Sequence, residues 1–237
     1  MKAKPISRQK QIDRDEELAY LTGVSLEDVQ KIVIASPETI AIYKGDGSDI
    51  QTPEDVVALY HDFSYIHWIG YLKTIMSTSM YKRGKALFPF LNSMKEKKCL
   101  DYGSGVGSHS IVLAELGNDI SILDVEGPAL DFAQKRIKAR GHKITTVYTE
   151  NSVLPEATFD VILNIECLEH VPNPMEVMKD MHRSLKQGGL LYLRYSTMVK
   201  DSSGHFRSSI TEIKSFVPAF LEEHFENISP RVYKKIK

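Results

Sequence analysis

Cysteine is scarce in this chain, with only Cys99 and Cys167 among 237 residues. Two thiols make no disulfide framework, so a packed core must hold the fold, and a reducing, cytoplasmic compartment is expected. Long apolar runs are missing. No stretch reaches the roughly 18 consecutive apolar residues of a membrane-spanning helix. The basic start, Met1-Lys-Ala-Lys-Pro-Ile-Ser-Arg, is not followed by the apolar segment of a secretory signal, so no such signal is expected. Net charge is nearly nil, with 30 Lys and Arg against 31 Asp and Glu. That balance gives no support to a nucleic-acid binder relying on broad phosphate neutralisation. Internal repeats and low-complexity segments are also lacking, which leaves no basis for a repeat architecture. What remains is ordinary globular composition, 42% hydrophobic and 26% charged. A chain of this size buries about 70% or more of its unfolded surface, enough for one domain with an appendage.

The pattern changes near residue 97. Before it the chain is helical and irregular, a 1–96 extension; after it short apolar runs alternate with helical stretches, a 97–237 core. Strands are expected at Cys99-Leu-Asp-Tyr, Asp119–Asp124, Lys143–Thr149, Phe159–Ile165 and Leu190–Ser196. Helices are expected at Ser108–Leu116, from Pro128 with Leu130, Ala133 and Ile137 on one face, and from Asn173-Pro174 to Leu185. Alternation with crossovers too long for hairpins demands a mostly parallel sheet with helices on both faces. Ser209 and Glu212 have capping-box spacing, and Pro218 is expected to break or kink the helix that follows. In the extension, Glu16–Leu21 and Ser25–Ile34 look like short helices joined at Gly23. Longer helical stretches run from Thr52-Pro53 to about Met76 and from Tyr81 to Leu91.

The most informative segment is Asp101-Tyr-Gly103-Ser-Gly105-Val-Gly107, between a strand and a helix. Glycines there let the backbone turn tightly and approach a ligand. Twenty-one residues after Gly103, at the end of the second strand, stands Asp124. An acid there can accept both ribose hydroxyls of an adenosine at the carboxyl edge of a parallel sheet. A dinucleotide loop needs its third glycine five residues after the first; here it comes after four, and position 108 is Ser.

D-x-G-x-G-x-G resembles the first motif of the class I S-adenosylmethionine-dependent methyltransferases. The run from Phe159 through Glu166, Glu169 and His170 to Pro174 is similar to the fourth-strand motif of the ubiquinone/menaquinone-type methyltransferases. Arg183-Ser-Leu-Lys-Gln-Gly-Gly-Leu-Leu-Tyr-Leu looks like the family's R-x-L-K-P-G-G ending, with Gln187 in place of Pro. The three occur in order over roughly residues 97–197. The resemblance implies a Rossmann-like, doubly wound α/β fold. Its sheet would be mostly parallel and seven-stranded, with the last strands antiparallel, although this C-terminus is short for that. The activity implied is transfer of a methyl group from S-adenosylmethionine to oxygen or nitrogen of a small molecule, leaving S-adenosylhomocysteine. It also implies that Asp101, Gly103, Ser104, Gly105 and Gly107 hold the methionine end. Asp124 would take the ribose, Val125 the adenine face, Glu150 or Asn151 the adenine amino group, and Asn164 the amino-acid moiety.

Glu166, Glu169 and His170 are spaced i, i+3, i+4, which gathers them on one face if the chain turns helical there. A divalent cation would relieve such crowding. The triplet resembles the metal site of ubiquinone-pathway O-methyltransferases and of small-RNA 3′-terminal 2′-O-methyltransferases, with His205 the candidate further ligand. The metal ranks behind a metal-free role in which His170, then Glu166 and His205, orients or deprotonates the acceptor. Tyr60, Phe63, Tyr65, Trp68 and Tyr71 put five aromatics in twelve residues, interleaved with His61 and His67. Tyr60, His67, Trp68 and Tyr71 are candidates for an acceptor lid, and Arg83 for the cofactor carboxylate. Residues 11–57 carry eleven acids and three bases, a net −8 that repels phosphates. Other readings are a metal-assisted RNA 2′-O-methyltransferase, a non-catalytic S-adenosylmethionine-binding interaction module and a nicotinamide-linked oxidoreductase. Acceptor identity and oligomeric state are not written in the sequence.

Overall fold

The structure is a computed structural model that describes residues 11–31, 72, 87–197 and 205–237. Three described helices precede the sheet: α1 (Gln11–Thr22), α2 (Leu26–Lys31) and α3 (Leu87–Ser93). Then come β1 (Lys98–Tyr102), α4 (Ser108–Glu115), β2 (Asp119–Leu123), α5 (Pro128–Ala139), β3 (Thr146–Tyr148) and β4 (Phe159–Ile165). A single 3-10 turn (Leu168–His170) leads to α6 (Pro174–Ser184), β5 (Leu185–Arg194), α7 (Arg207–His224), β6 (Phe225–Ser229) and β7 (Val232–Lys235).

The strands form one sheet in the order β3-β2-β1-β4-β5-β7-β6. β1 pairs in parallel with β2 and β4, β2 with β3, and β4 with β5. β7 runs antiparallel to both neighbours, β5 and β6. The expected doubly wound sheet with an antiparallel end is therefore present in full, and the short C-terminus suffices. β6 and β7 are joined through Pro230 and Arg231 alone, and Arg231 takes a left-handed φ of 68°. The order reverses between β1 and β4, so a crevice opens at their carboxyl ends, the usual ligand position in such sheets.

The strands are apolar on both sides because both faces are covered. Cys99, Ile120, Ile122, Val161 and Leu163 point into a core shared with α3, α4 and α5. Leu100, Ile162, Leu191 and Leu193 point the other way, onto Met178 and Met181 of α6 and Ile213, Val217 and Leu221 of α7. A third cluster joins Leu18 of α1, Val29 of α2 and Leu72 to Val106 in the glycine loop and Phe132 of α5.

Several local expectations change. β5 begins at Leu185, not Leu190, because the chain passes through Gly188 (φ 74°) without leaving the sheet. β3 is shorter than expected. Asn173 gives α6 no side-chain cap. Ser209 and Glu212 form no capping box at their own helix: the Ser209 hydroxyl donates to the Val171 carbonyl, and a Glu212 carboxylate oxygen accepts the Met175 amide of α6. Pro218 lies inside an unbroken α7. Of the expected helix over 52–76 only Leu72 is described, as helical and buried; the start of the helix over 81–91 falls outside the described residues.

Candidate active site

The glycine loop is built by three turns of left-handed backbone, at Gly103 (φ 78°), Gly105 (φ 53°) and Gly107 (φ 71°). Gly103 and Ser104 donate their amides to the Leu123 carbonyl at the end of β2 (2.8 and 3.0 Å). Glycine at 103 is also required sterically. A Cβ there would lie 2.6 Å from Sγ and 2.7 Å from Cβ of Cys167, so the turns after β1 and β4 interlock. At Gly105 no atom lies within 4 Å of where a Cβ would be, and that side of the loop is open.

Asp124 follows the last residue of β2. One carboxylate oxygen accepts the Gly105 amide at 2.6 Å and the other accepts the Val125 amide at 2.8 Å. The acid thus holds the loop in place. Beyond it, a Glu150 oxygen accepts the Glu126 amide at 2.8 Å and the other accepts the Asn151 side chain at 3.0 Å. Val125, Glu150 and Asn151 are therefore gathered beside Asp124, beyond the ends of β2 and β3. Asp101 faces inward instead. It is buried, accepts the Ser110 hydroxyl of α4 at 2.5 Å, and burial raises its carboxyl pKa against the opposing effects of His109 and Ser110. That contact fastens α4 under the loop.

Two buried polar atoms flank the loop with no hydrogen-bond partner among the described residues, Ser104 Oγ and Asn164 Oδ1. Asn164, wholly buried on β4, reaches the Tyr102 carbonyl through its amide nitrogen at 3.4 Å. Most buried polar atoms are hydrogen-bonded, so two unmatched ones at one crevice point to a polar ligand. An acid aimed past the end of β2, an open glycine turn and these two acceptors suit a nucleoside with an amino-acid tail. S-adenosylmethionine has that form.

The Glu-x-x-Glu-His cluster follows β4. Glu166 adopts a left-handed φ of 55°, and its carboxylate pairs with Arg194 Nε of β5 at 2.8 Å. A side chain in that conformation costs roughly 1–2 kcal/mol, which the surrounding structure must offset. Glu169 is fully buried; one oxygen accepts the Ser196 amide at 2.9 Å, and its carboxyl lies beside that of Glu166. Burial first, and the nearby Glu166 charge second, push its carboxyl up to about 7. His170 and His205 face each other edge to face with ring centroids 4.9 Å apart. Ligand atoms of Glu169, His170 and His205 all lie within 4.8 Å of one another. Of the four residues considered for a metal, three come together, and Glu166 turns to Arg194.

The lid candidates Tyr60, His67, Trp68 and Tyr71, together with His61 and Arg83, lie outside the described residues. Sequence reading missed Cys167 as the wall behind Gly103 and Arg194 as the partner of Glu166. Both were detectable in principle, since each sits at the carboxyl end of, or just beyond, a strand next to the switch point.

Residues 100–193 match the family model described as a methyltransferase domain. The ubiquinone biosynthesis O-methyltransferase of Vibrio cholerae serotype O1 is 26% identical over 208 residues, covering 84% of this chain and 80% of that one. The enzyme of the same name from Actinobacillus pleuropneumoniae serotype 7 is 33% identical over 108 residues, 43% of this chain and 46% of that one. In fold, the chain superposes on the crystal structure of an S-adenosylmethionine-dependent methyltransferase from Aquifex aeolicus with a TM-score of 0.51. That match has 17% identity and spans 64% of this chain and 88% of that one. The loop, the acid after β2 and the sheet order thus agree with the match of residues 100–193 to a methyltransferase domain and with the likeness of the chain to ubiquinone biosynthesis O-methyltransferases.

Proposed function

We propose that this enzyme methylates a hydroxyl oxygen of a small molecule, within the wider class of oxygen and nitrogen acceptors. The observation that carries the reading is the convergence of two features on one sheet edge. The Asp124-held glycine loop stands at β1 and β2, and the Glu169–His170–His205 group stands just beyond β4. The O-methyltransferase names of the relatives support oxygen.

S-adenosylmethionine supplies an activated methyl group on a sulfonium. The chain's contribution is alignment, exclusion of water and proton transfer. Asp124 orients the ribose, Ser104 and Asn164 receive donors of the amino-acid tail, and Val125 with Glu150 or Asn151 bounds the adenine. A hydroxyl must lose its proton as the new bond forms, and a positioned imidazole is suited to accept it near neutral pH. His170 is the base in this reading, with His205 against its ring and the buried Glu169 next to it in sequence. Glu166, held by Arg194, shapes the strand end. The aromatic run 60–71, with Tyr60, His67, Trp68 and Tyr71, forms the acceptor wall, and residues 1–96 form the lid-bearing extension. No described helix is long and apolar enough to cross a membrane, and a cytoplasmic location is part of this proposal.

A second reading, metal-assisted transfer, is favoured by one observation: a carboxylate and two imidazoles offer ligand atoms within 4.8 Å. A carboxylate with imidazoles suits zinc, manganese or iron.

Calorimetric titration of wild type and Asp124→Ala with S-adenosylmethionine, S-adenosylhomocysteine and NAD tests the core of the proposal. Micromolar binding of the first two, lost in the variant, is expected. Binding of NAD alone, or of none of the three, would overturn it.

A further inference from the structure

Arg136 of α5 is 2% exposed. Its Nη1 donates to the Val106 carbonyl at 3.0 Å and to Ser108 Oγ at 2.8 Å, the last residues of the glycine loop and the first of α4. On its other side, Nε lies 3.1 Å from a Glu17 carboxylate oxygen of α1, as an ion pair whose N–H is not aligned for a hydrogen bond. Glu17's second oxygen pairs with Arg140 at 2.8 Å. A buried guanidinium needs a compensating charge, and α1 supplies it.

A separate contact runs in parallel. The Val106 side chain is buried in the cluster formed with Leu18 of α1, Val29 of α2 and Phe132 of α5. Val106 is thus held by its carbonyl through Arg136 and by its side chain through the two N-terminal helices. Its neighbour Gly105 is the residue whose amide Asp124 fixes. The loop therefore has one wall that the methyltransferase core does not provide.

We propose that Glu17 and Arg136 are positioning residues for the cofactor loop, and that seating of α1–α2 on the core is coupled to cofactor binding. Arg136 touches the loop; Glu17 acts through Arg136. The proposal rests on the reading of residues 103–107 as the cofactor loop. Coupling between two sites is reciprocal, so the bound cofactor must hold α1–α2 down by the same factor by which seated helices tighten cofactor binding.

The test uses the full chain and S-adenosylhomocysteine. Its affinity is measured by calorimetry for wild type, Glu17→Gln and Glu16→Gln, at a temperature where circular dichroism shows all three folded. Amide hydrogen exchange over residues 14–30 is followed with and without the ligand. Glu17→Gln is expected to weaken binding about tenfold, within the usual range of coupling between sites. Glu16→Gln removes the same charge from an exposed position of the same helix and should bind as wild type. In wild type, ligand should slow exchange over 14–30, and Glu17→Gln should shrink that protection. A merely structural ion pair would lower thermal stability yet leave affinity and ligand-dependent protection unchanged, and that result overturns the proposal. Equal weakening by both variants would also overturn it, since it would reflect net charge alone. Failure of wild type to bind would instead remove the cofactor reading, and this proposal with it.

Discussion

Gly103→Ala is the sharpest perturbation the site offers, because two separable strains act on one added methyl group. The backbone strain comes from a φ of 78°, and a left-handed conformation costs a residue with a Cβ roughly 1–2 kcal/mol. The steric strain comes from Cys167, whose Sγ and Cβ would lie 2.6 and 2.7 Å from the new atom. Overpacking of that kind costs about 1–3 kcal/mol. Together the loss centres on about 3.5 kcal/mol, which for a chain of this size lowers Tm by roughly 7–14 °C. A double-mutant cycle in urea separates the parts. Cys167→Ala removes only the sulfur and leaves the 2.7 Å contact, so it should relieve little. Cys167→Gly removes both atoms and should return the steric share, leaving the backbone share of roughly 1–2 kcal/mol. A Gly103→Ala loss below about 1 kcal/mol, or one undiminished in the Cys167→Gly background, would refute the interlocked-turn argument.

Two further outcomes are expected. Glu169 has a folded-state pKa raised from 4.5 to about 7, so the native state keeps a proton that the unfolded chain releases. Stability should therefore fall as pH rises through that window, by at most about 1.4 kcal/mol per pH unit, and level off above it. Urea unfolding of wild type against Glu169→Gln from about pH 5 to 8 in chelator-containing buffer should show wild type losing ground until about pH 7; parallel curves would contradict the buried, protonated carboxyl. His170→Gln should lower kcat by about 10²–10⁴ while S-adenosylhomocysteine affinity holds, and wild-type methyl transfer should survive exhaustive chelation. Activity that vanishes with the chelator and returns with zinc or manganese would move the mechanism to the metal-assisted reading.

The alternation of strands and helices, and the glycine loop with its acid, were legible because they are local. Periodicity announces Phe159–Ile165 as a strand wherever it sits, and Gly103 and Asp124 follow from what a βαβ turn must do for a phosphate-free nucleoside. The errors arose where a local rule met a distant partner. Ser209 and Glu212 have the spacing to cap their own helix, yet they serve Val171 and Met175 because α7 lies against the start of α6. Gly188-Gly189 ends a helix in isolation, but neighbouring β4 draws Leu185 into the sheet. Glu166 could be read as a metal ligand from spacing alone. Only the adjacency of β4 and β5 brings Arg194 to it. Glu17 and Arg136 carry no motif at all, and nothing but tertiary packing joins them.

The place of β7 in the sheet has a bearing on biogenesis. β5 is complete by Arg194, but the strand that pairs with its outer edge, β7, follows only after α7 and β6. Until it arrives, Leu190, Leu191 and Tyr192 present open backbone donors and acceptors to the cell. An unpaired apolar edge recruits other chains. Nascent molecules stalled before residue 232 should therefore be the ones that demand chaperones, and disruption of β7 alone should harm solubility before it touches the catalytic crevice on the other side of β4.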